Sequence, residues 1–163
     1  MSACNGSSSQ SKPAATPTKS QKTASSFVPP EELWELNNQG VAYMERFDMG
    51  GGFENAVPVF EEIVRRWPEW MPGKFNLAVA YLNAFRDDAH HDQAERLLRE
   101  VIVADDQDAK AHYTLGFLLK YRNRSDEAKP HFEKVCFELK PDDAHSWLRL
   151  GDCLADSASA DSE

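Results

Sequence analysis

From residue 31 onward the apolar positions recur with the 3.6-residue period of helices, and the pattern repeats along the chain. One segment reads Asn38-Gln39-Gly40-Val41-Ala42-Tyr43. It returns as Asn76-Leu77-Ala78-Val79-Ala80-Tyr81, as Thr114-Leu115-Gly116-Phe117-Leu118-Leu119, and as Arg149-Leu150-Gly151-Asp152-Cys153-Leu154. A small residue sets the phase at Gly40, Ala78, Gly116 and Gly151, with spacings of 38, 38 and 35 residues. A second kind of segment follows each of the first three. It carries Ala56, Ala94 or Ala128, and four residues later a large apolar residue, Phe60, Leu98 or Phe132. An i, i+4 pair lies on one helix face. The small residues let paired helices approach closely, and the large ones interlock around those points. Neither helix can bury its stripe alone, so neighbouring pairs must stack.

Seven helices are predicted. Pro29 and Pro30 suit a helix start, and Glu31 and Glu32 favour its N-terminal dipole. Ser125 reads as an N-cap. Pro58 and Pro130 each follow the phasing alanine by two residues, near the expected start of a second helix, where first-turn amides have no partner to lose. Pro68 and Pro141 end their helices. The fourth copy has only a first helix, read as a capping helix over 144–155 with one polar face, followed by an acidic tail over 156–163. Residues 1–28 are rich in Ser, Thr and Pro, lack apolar periodicity, and read as a disordered tether.

Taken together these positions resemble the tetratricopeptide repeat family over residues 31–155. The fourth copy shows the opening of the family signature in Trp147, Leu150, Gly151 and Leu154. The third shows Leu115, Gly116, Ala128, Phe132 and Pro141; the first shows Gly40, Tyr43, Ala56, Phe60 and Pro68. The second keeps Leu77, Ala78, Tyr81 and Ala94, with Leu98 in place of Phe. The resemblance implies an all-α repeat superhelix with repeats at 31–70, 71–108 and 109–143. The family period is about 34 residues, and the first two copies are longer. Tyr43 to Ala56 and Tyr81 to Ala94 span 13 residues, against 9 from Leu119 to Ala128. The extra residues fall at Asp48-Met49-Gly50-Gly51-Gly52 and at Arg86–Asp92, as longer turns or as one more helical turn. The third copy has one extra residue before Pro141.

In this family the first helices line a concave groove. The resemblance therefore assigns partner-binding positions residue by residue: Asn37 and Val41 in the first copy, Phe75, Asn76, Val79 and Asn83 in the second, and Lys110, Tyr113, Phe117 and Tyr121 in the third. Trp34, Asn38, Met44, Glu45, Leu82, Thr114, Lys120, His145, Leu148, Arg149 and Asp152 fall on the same face. Exposed aromatic residues on a concave surface commonly mark an interface. One branch of the family clamps a C-terminal carboxylate; only Asn76 and Lys110 match its five clamp positions, so an apolar segment with a few polar anchors is the expected ligand.

Charge narrows the partners. The formal net charge is -9, which disfavours phosphate-rich nucleic acid and anionic membrane surfaces. A basic, apolar protein or peptide is the expected partner. No run is long and apolar enough to span a membrane. Asp87, Asp88, His90, His91 and Asp92 look like metal ligands but read as a polar hairpin loop. No nucleophile, phosphate-loop or metalloprotease signature is present. The expectation is a non-enzymatic binding module with no cofactor and no metal. The alternative is a structural or assembly factor that self-associates or acts as a tethered scaffold.

Cys136 and Cys153 sit in apolar periodic stretches and read as small buried hydrophobes. Cys4 closes Ser2-Ala3-Cys4 ahead of a Ser-rich stretch, which resembles the end of a bacterial lipoprotein signal. The basic and apolar regions of such a signal are not in the sequence. A cytoplasmic protein is expected, or, if Cys4 is lipidated, a membrane-anchored lipoprotein facing the periplasm.

Overall fold

A computed structural model describes residues 27–46 and 50–160. Cys4 and most of the expected tether lie outside the described residues. The seven helices are α1 (Glu31–Met44), α2 (Gly52–Arg66), α3 (Met71–Ala84), α4 (Asp88–Ala104), α5 (Ala109–Tyr121), α6 (Ser125–Lys134) and α7 (Ala144–Ala160). No strand occurs among the described residues. Helices pair as α1·α2, α3·α4 and α5·α6, and the pairs stack through α2·α3, α4·α5 and α6·α7. The first helices also touch in a row, α1 to α3 to α5 to α7, so they form one layer of the array.

The core follows the phasing residues. Ala56, Phe60, Ala78, Ala94, Leu98, Leu115, Ala128 and Phe132 are all fully buried. A Cβ placed on Gly116 would stand 2.9 Å from Cζ of Phe132, so the aromatic ring occupies the notch the glycine leaves. Burying each such ring contributes about 1.5–3 kcal/mol. Cys136 and Cys153 are buried free thiols. Burial pushes both thiols up, away from the reactive thiolate form.

Polar staples join the layers. Lys74 Nζ lies 2.6 Å from Glu100 Oε2, linking α3 to α4. Glu95 collects three guanidiniums, with contacts of 2.6 Å to Arg99, 2.7 Å to Arg124 and 3.3 Å to Arg122. Burial raises the Glu95 pKa, but the hydrogen bonds from Arg124 and Arg99 outweigh it and hold the carboxyl below its usual range. Lys120 and Ser125 both meet the Asp156 carboxylate, fixing α7 on the α5–α6 pair.

His112 on α5, which is buried, and His131 on α6, which is half-buried, form a pair with Nδ1 atoms 3.0 Å apart. Nε2 of His112 lies 3.1 Å from the Asp106 carbonyl, which can only accept. Nε2 therefore carries the proton, His112 Nδ1 accepts, and Nδ1–H of His131 donates to it.

The two long copies absorb their extra residues differently. In the first, α1 ends at Met44 and α2 begins at Gly52, with Gly50 and Gly51 just before it at φ of 79° and 70°. That left-handed backbone suits glycine. In the second, the insertion lengthens α4. The segment expected as a polar loop is helix from Asp88 onward, and His91 is buried rather than solvated, because it faces α5 one turn into the helix. Asp87 caps that helix, accepting from the His90 amide at 3.0 Å.

Three local expectations are corrected. Ser125 is the first residue of α6, its hydroxyl turned to Asp156 rather than capping the helix. Pro58 and Pro130 lie inside α2 and α6, beyond the first turn, since α2 begins at Gly52 and α6 at Ser125. Both prolines are exposed, so water can take up the carbonyls they free. Helix α7 runs to Ala160, past residue 155, where the pattern placed its end.

The extra residue of the third copy is a π-helical turn, Val135–Leu139, continuing α6. The Lys140 amide closes it by donating to the Val135 carbonyl at 2.7 Å. A π turn holds one residue more than an α turn.

Candidate partner-binding groove

The row α1, α3, α5, α7 carries all ten residues expected to bind a partner, and none of them is fully buried. Their immediate surroundings divide them into three groups. Phe75, Lys110 and Tyr113 line a cleft of 590 Å³ with Thr114, Val135, Lys140 and His145. Phe75 and Lys110 also line an adjoining cleft of 380 Å³ with Asn76, Met71 and Val101. Farther along the row, Asn83, Phe117 and Tyr121 line a 260 Å³ pocket with Leu82, Arg86 and His91. Asn37, Val41 and Val79 line none of these three clefts.

Polar groups on this face are partly spoken for. Asn76 Nδ2 donates to Asn37 Oδ1 at 3.0 Å, joining the first two copies and leaving the Asn76 Oδ1 as an acceptor. Asn83 turns its amide back to the Val79 carbonyl at 2.8 Å. Neither Lys110 nor Lys140 makes an ion pair among the described residues. Asp142 and Asp143 line the same larger cleft. Asp143 is held ionised, its pKa lowered chiefly by the Ser146 hydroxyl at 2.5 Å.

The aromatic positions are set by neighbours. Tyr113 packs edge-on to Phe132, with ring centroids 5.9 Å apart. Tyr121 meets His91 edge-on at 5.5 Å. Phe117 is 43% exposed, and the Arg149 guanidinium lies 5.5 Å from its ring centre. An exposed phenyl ring held beneath a cation is a ready contact surface.

Sequence reasoning missed Val135, Lys140, Asp142 and Asp143. They come from the π turn and the connection to α7, and the single extra residue before Pro141 was the only trace of them. Arg86 and His91 were also missed, since the segment holding them read as a loop. Among the described residues no group of three or more His, Cys, Asp or Glu side chains is placed to hold a metal ion.

No protein-family model and no curated protein sequence matches the chain. Solved structures do. The tetratricopeptide domain of Sgt2 from Aspergillus fumigatus superimposes with a TM-score of 0.70 at 21% identity, over 85% of this chain and 87% of that one. The first such domain of Spaghetti (RPAP3), bound to the HSP90 peptide SRMEEVD, gives 0.69 at 20% identity, over 80% and 99%. The second domain of human RPAP3, in complex with the HSP70 peptide SGPTIEEVD, gives 0.63 at 20% identity, over 75% and 94%. The chain therefore has the fold of a tetratricopeptide repeat domain.

Proposed function

We propose that the chain is a non-catalytic protein-interaction module that takes a peptide segment of its partner along the α1–α3–α5–α7 face. The observation that carries this reading is the pair of adjoining clefts that share Phe75 and Lys110, so that an aromatic ring and a cation border both of them. Apolar partner side chains would seat against Phe75, Tyr113 and Phe117. The Asn76 Oδ1 would accept a backbone N–H, and the Lys110 and Lys140 ammoniums would meet carbonyl or carboxylate oxygens. The HSP peptides bound to the two RPAP3 domains support a peptide ligand for this fold. The net charge of -9 would speed the approach of a segment with basic flanks. A groove of this size points to affinities on the order of micromolar.

The test is a peptide-library binding screen with the full chain and a Phe75→Ala/Phe117→Ala variant. The reading expects selected peptides to lose at least about tenfold in affinity, each anchor being worth roughly 1–2 kcal/mol. Peptides that bind both proteins equally would refute the groove assignment.

A further inference from the structure

The notches at Gly40 and Gly116 are filled by the rings of Phe60 and Phe132, whereas a Cβ on Gly151 would meet nothing within 4 Å. Helix α7 buries Ser146, Leu150 and Cys153. A second stripe, Ala144, Trp147, Leu148, Gly151, Leu154 and Ala155, runs beside that face and is exposed. Trp147 is 40%, Leu148 60% and Leu154 47% accessible. The charged residues of α7, Arg149, Asp152 and Asp156, fall on a third face, so the stripe carries no charge. Helix α7 packs on α6, α5 and the π turn. Trp147 is preset: its indole N–H donates to the Pro141 carbonyl at 2.8 Å, and Phe137 stands edge-on to it at 5.1 Å. Phe137 is itself 63% exposed and widens the patch.

We infer that this stripe pairs α7 with α7 of a second copy, antiparallel and crossing at Gly151. The order of residues is symmetric about that glycine. Trp147 lies four residues before it and Ala155 four after; Leu148 lies three before and Leu154 three after. A two-fold axis at Gly151 therefore sets the large Trp147 on the small Ala155 of the second copy and Leu148 on Leu154. The two glycines, lacking Cβ atoms, allow a close crossing. No charge is desolvated. Another helix of the second copy would fit less well. The residues that fill the other notches or stand in their place, Phe60, Leu98 and Phe132, are fully buried in each copy and are not on offer. Leu148 alone of the stripe belongs to the expected groove row, and none of the stripe lines the three groove clefts, so either reading can fail alone.

Sedimentation equilibrium of the full chain tests the inference. The expected result is a reversible dimer with a dissociation constant on the order of tens of micromolar, as suits a small interface. Added salt should tighten it, because each copy carries a net charge of -9. A Leu148→Glu/Leu154→Glu variant should weaken the dimer at least tenfold. Oxidative cross-linking gives an independent reading that leaves those side chains intact: Gly151→Cys should form a covalent dimer and His145→Cys, on the polar face, should not. A wild-type chain that stays monomeric to about 300 µM would overturn the inference. So would a dimer indifferent to the two glutamates, or equal cross-linking at both positions.

Discussion

The ring of Phe60 lies so close over Gly40 that a Cβ there would stand 2.5 Å from its Cζ atom. Phe60 is fully buried and cannot withdraw. Gly40→Ala should therefore destabilise the fold by about 1–2 kcal/mol, overpacking outweighing the gain of roughly 1 kcal/mol in helix propensity. At Gly151 the same change meets open space and should stabilise the chain by up to about 1 kcal/mol. Urea denaturation at low protein concentration measures both, and the opposite signs at equivalent repeat positions are the point of the comparison.

The His112–His131 pair makes stability depend on pH. Burial first, then the nearby His112 and Arg99 charges, push the His131 pKa down to about 4 from its ordinary 6.5. Between those values the unfolded chain binds the proton and the folded chain does not. The stabilisation is thus complete above pH 6.5 and is lost as pH falls toward 4. Allowing for solvent screening of a ring that is only partly buried, the loss should be about 1–2 kcal/mol. Chemical denaturation across that range should show the slope in the wild type and a flatter profile in His131→Gln.

Glu95 is the acceptor that three arginines share, at the seam where α4 meets the α5–α6 connection. Its side chain is only 13% exposed. Glu95→Ala should cost about 1–2 kcal/mol, since it removes the one part-buried carboxylate that all three guanidiniums share, while Asp92 and Glu127 still pair with Arg122 and Arg124. Glu62→Ala removes an exposed partner of Arg65 and should cost under about 0.5 kcal/mol. Thermal melts of the two variants give the contrast.

Phe117 tests whether the groove can be altered without harm to the fold. Its ring is exposed and its noted contact is the Arg149 guanidinium. Phe117→Ala should change stability by less than about 1 kcal/mol. A binding defect in that variant with an unchanged melting temperature would then report on the surface alone.

The repeat was legible because packing writes it into the residue types. Gly40, Gly116, Phe60 and Phe132 hold the same relation in space as in sequence, and seven helices follow from them. The fate of the insertions was not legible. Periodicity does not tell a longer turn from a longer helix, so the Arg86–Asp92 segment, where α4 begins, was read as a loop while His91 lies buried in that helix. The groove residues were placed on the right row of helices, but Lys140, Asp142 and Asp143 enter the cleft from a connection whose path depends on the turn before it. The polar face expected of α7 exists, in Arg149, Asp152 and Asp156. Trp147 and Leu154 fit the repeat signature and Leu148 the groove row, so the sequence does not mark out the apolar stripe that they form together.

One residue inserted into a continuous α-helix would rotate every later side chain by about 100° and turn the inward face outward. The widened turn at Val135–Leu139 confines that rotation to a single loop of backbone. Phe132 stays inside before it, and Leu150 and Cys153 come inside after it. Repeat length in such an array can therefore drift by single residues while the orientation of every downstream helix is preserved.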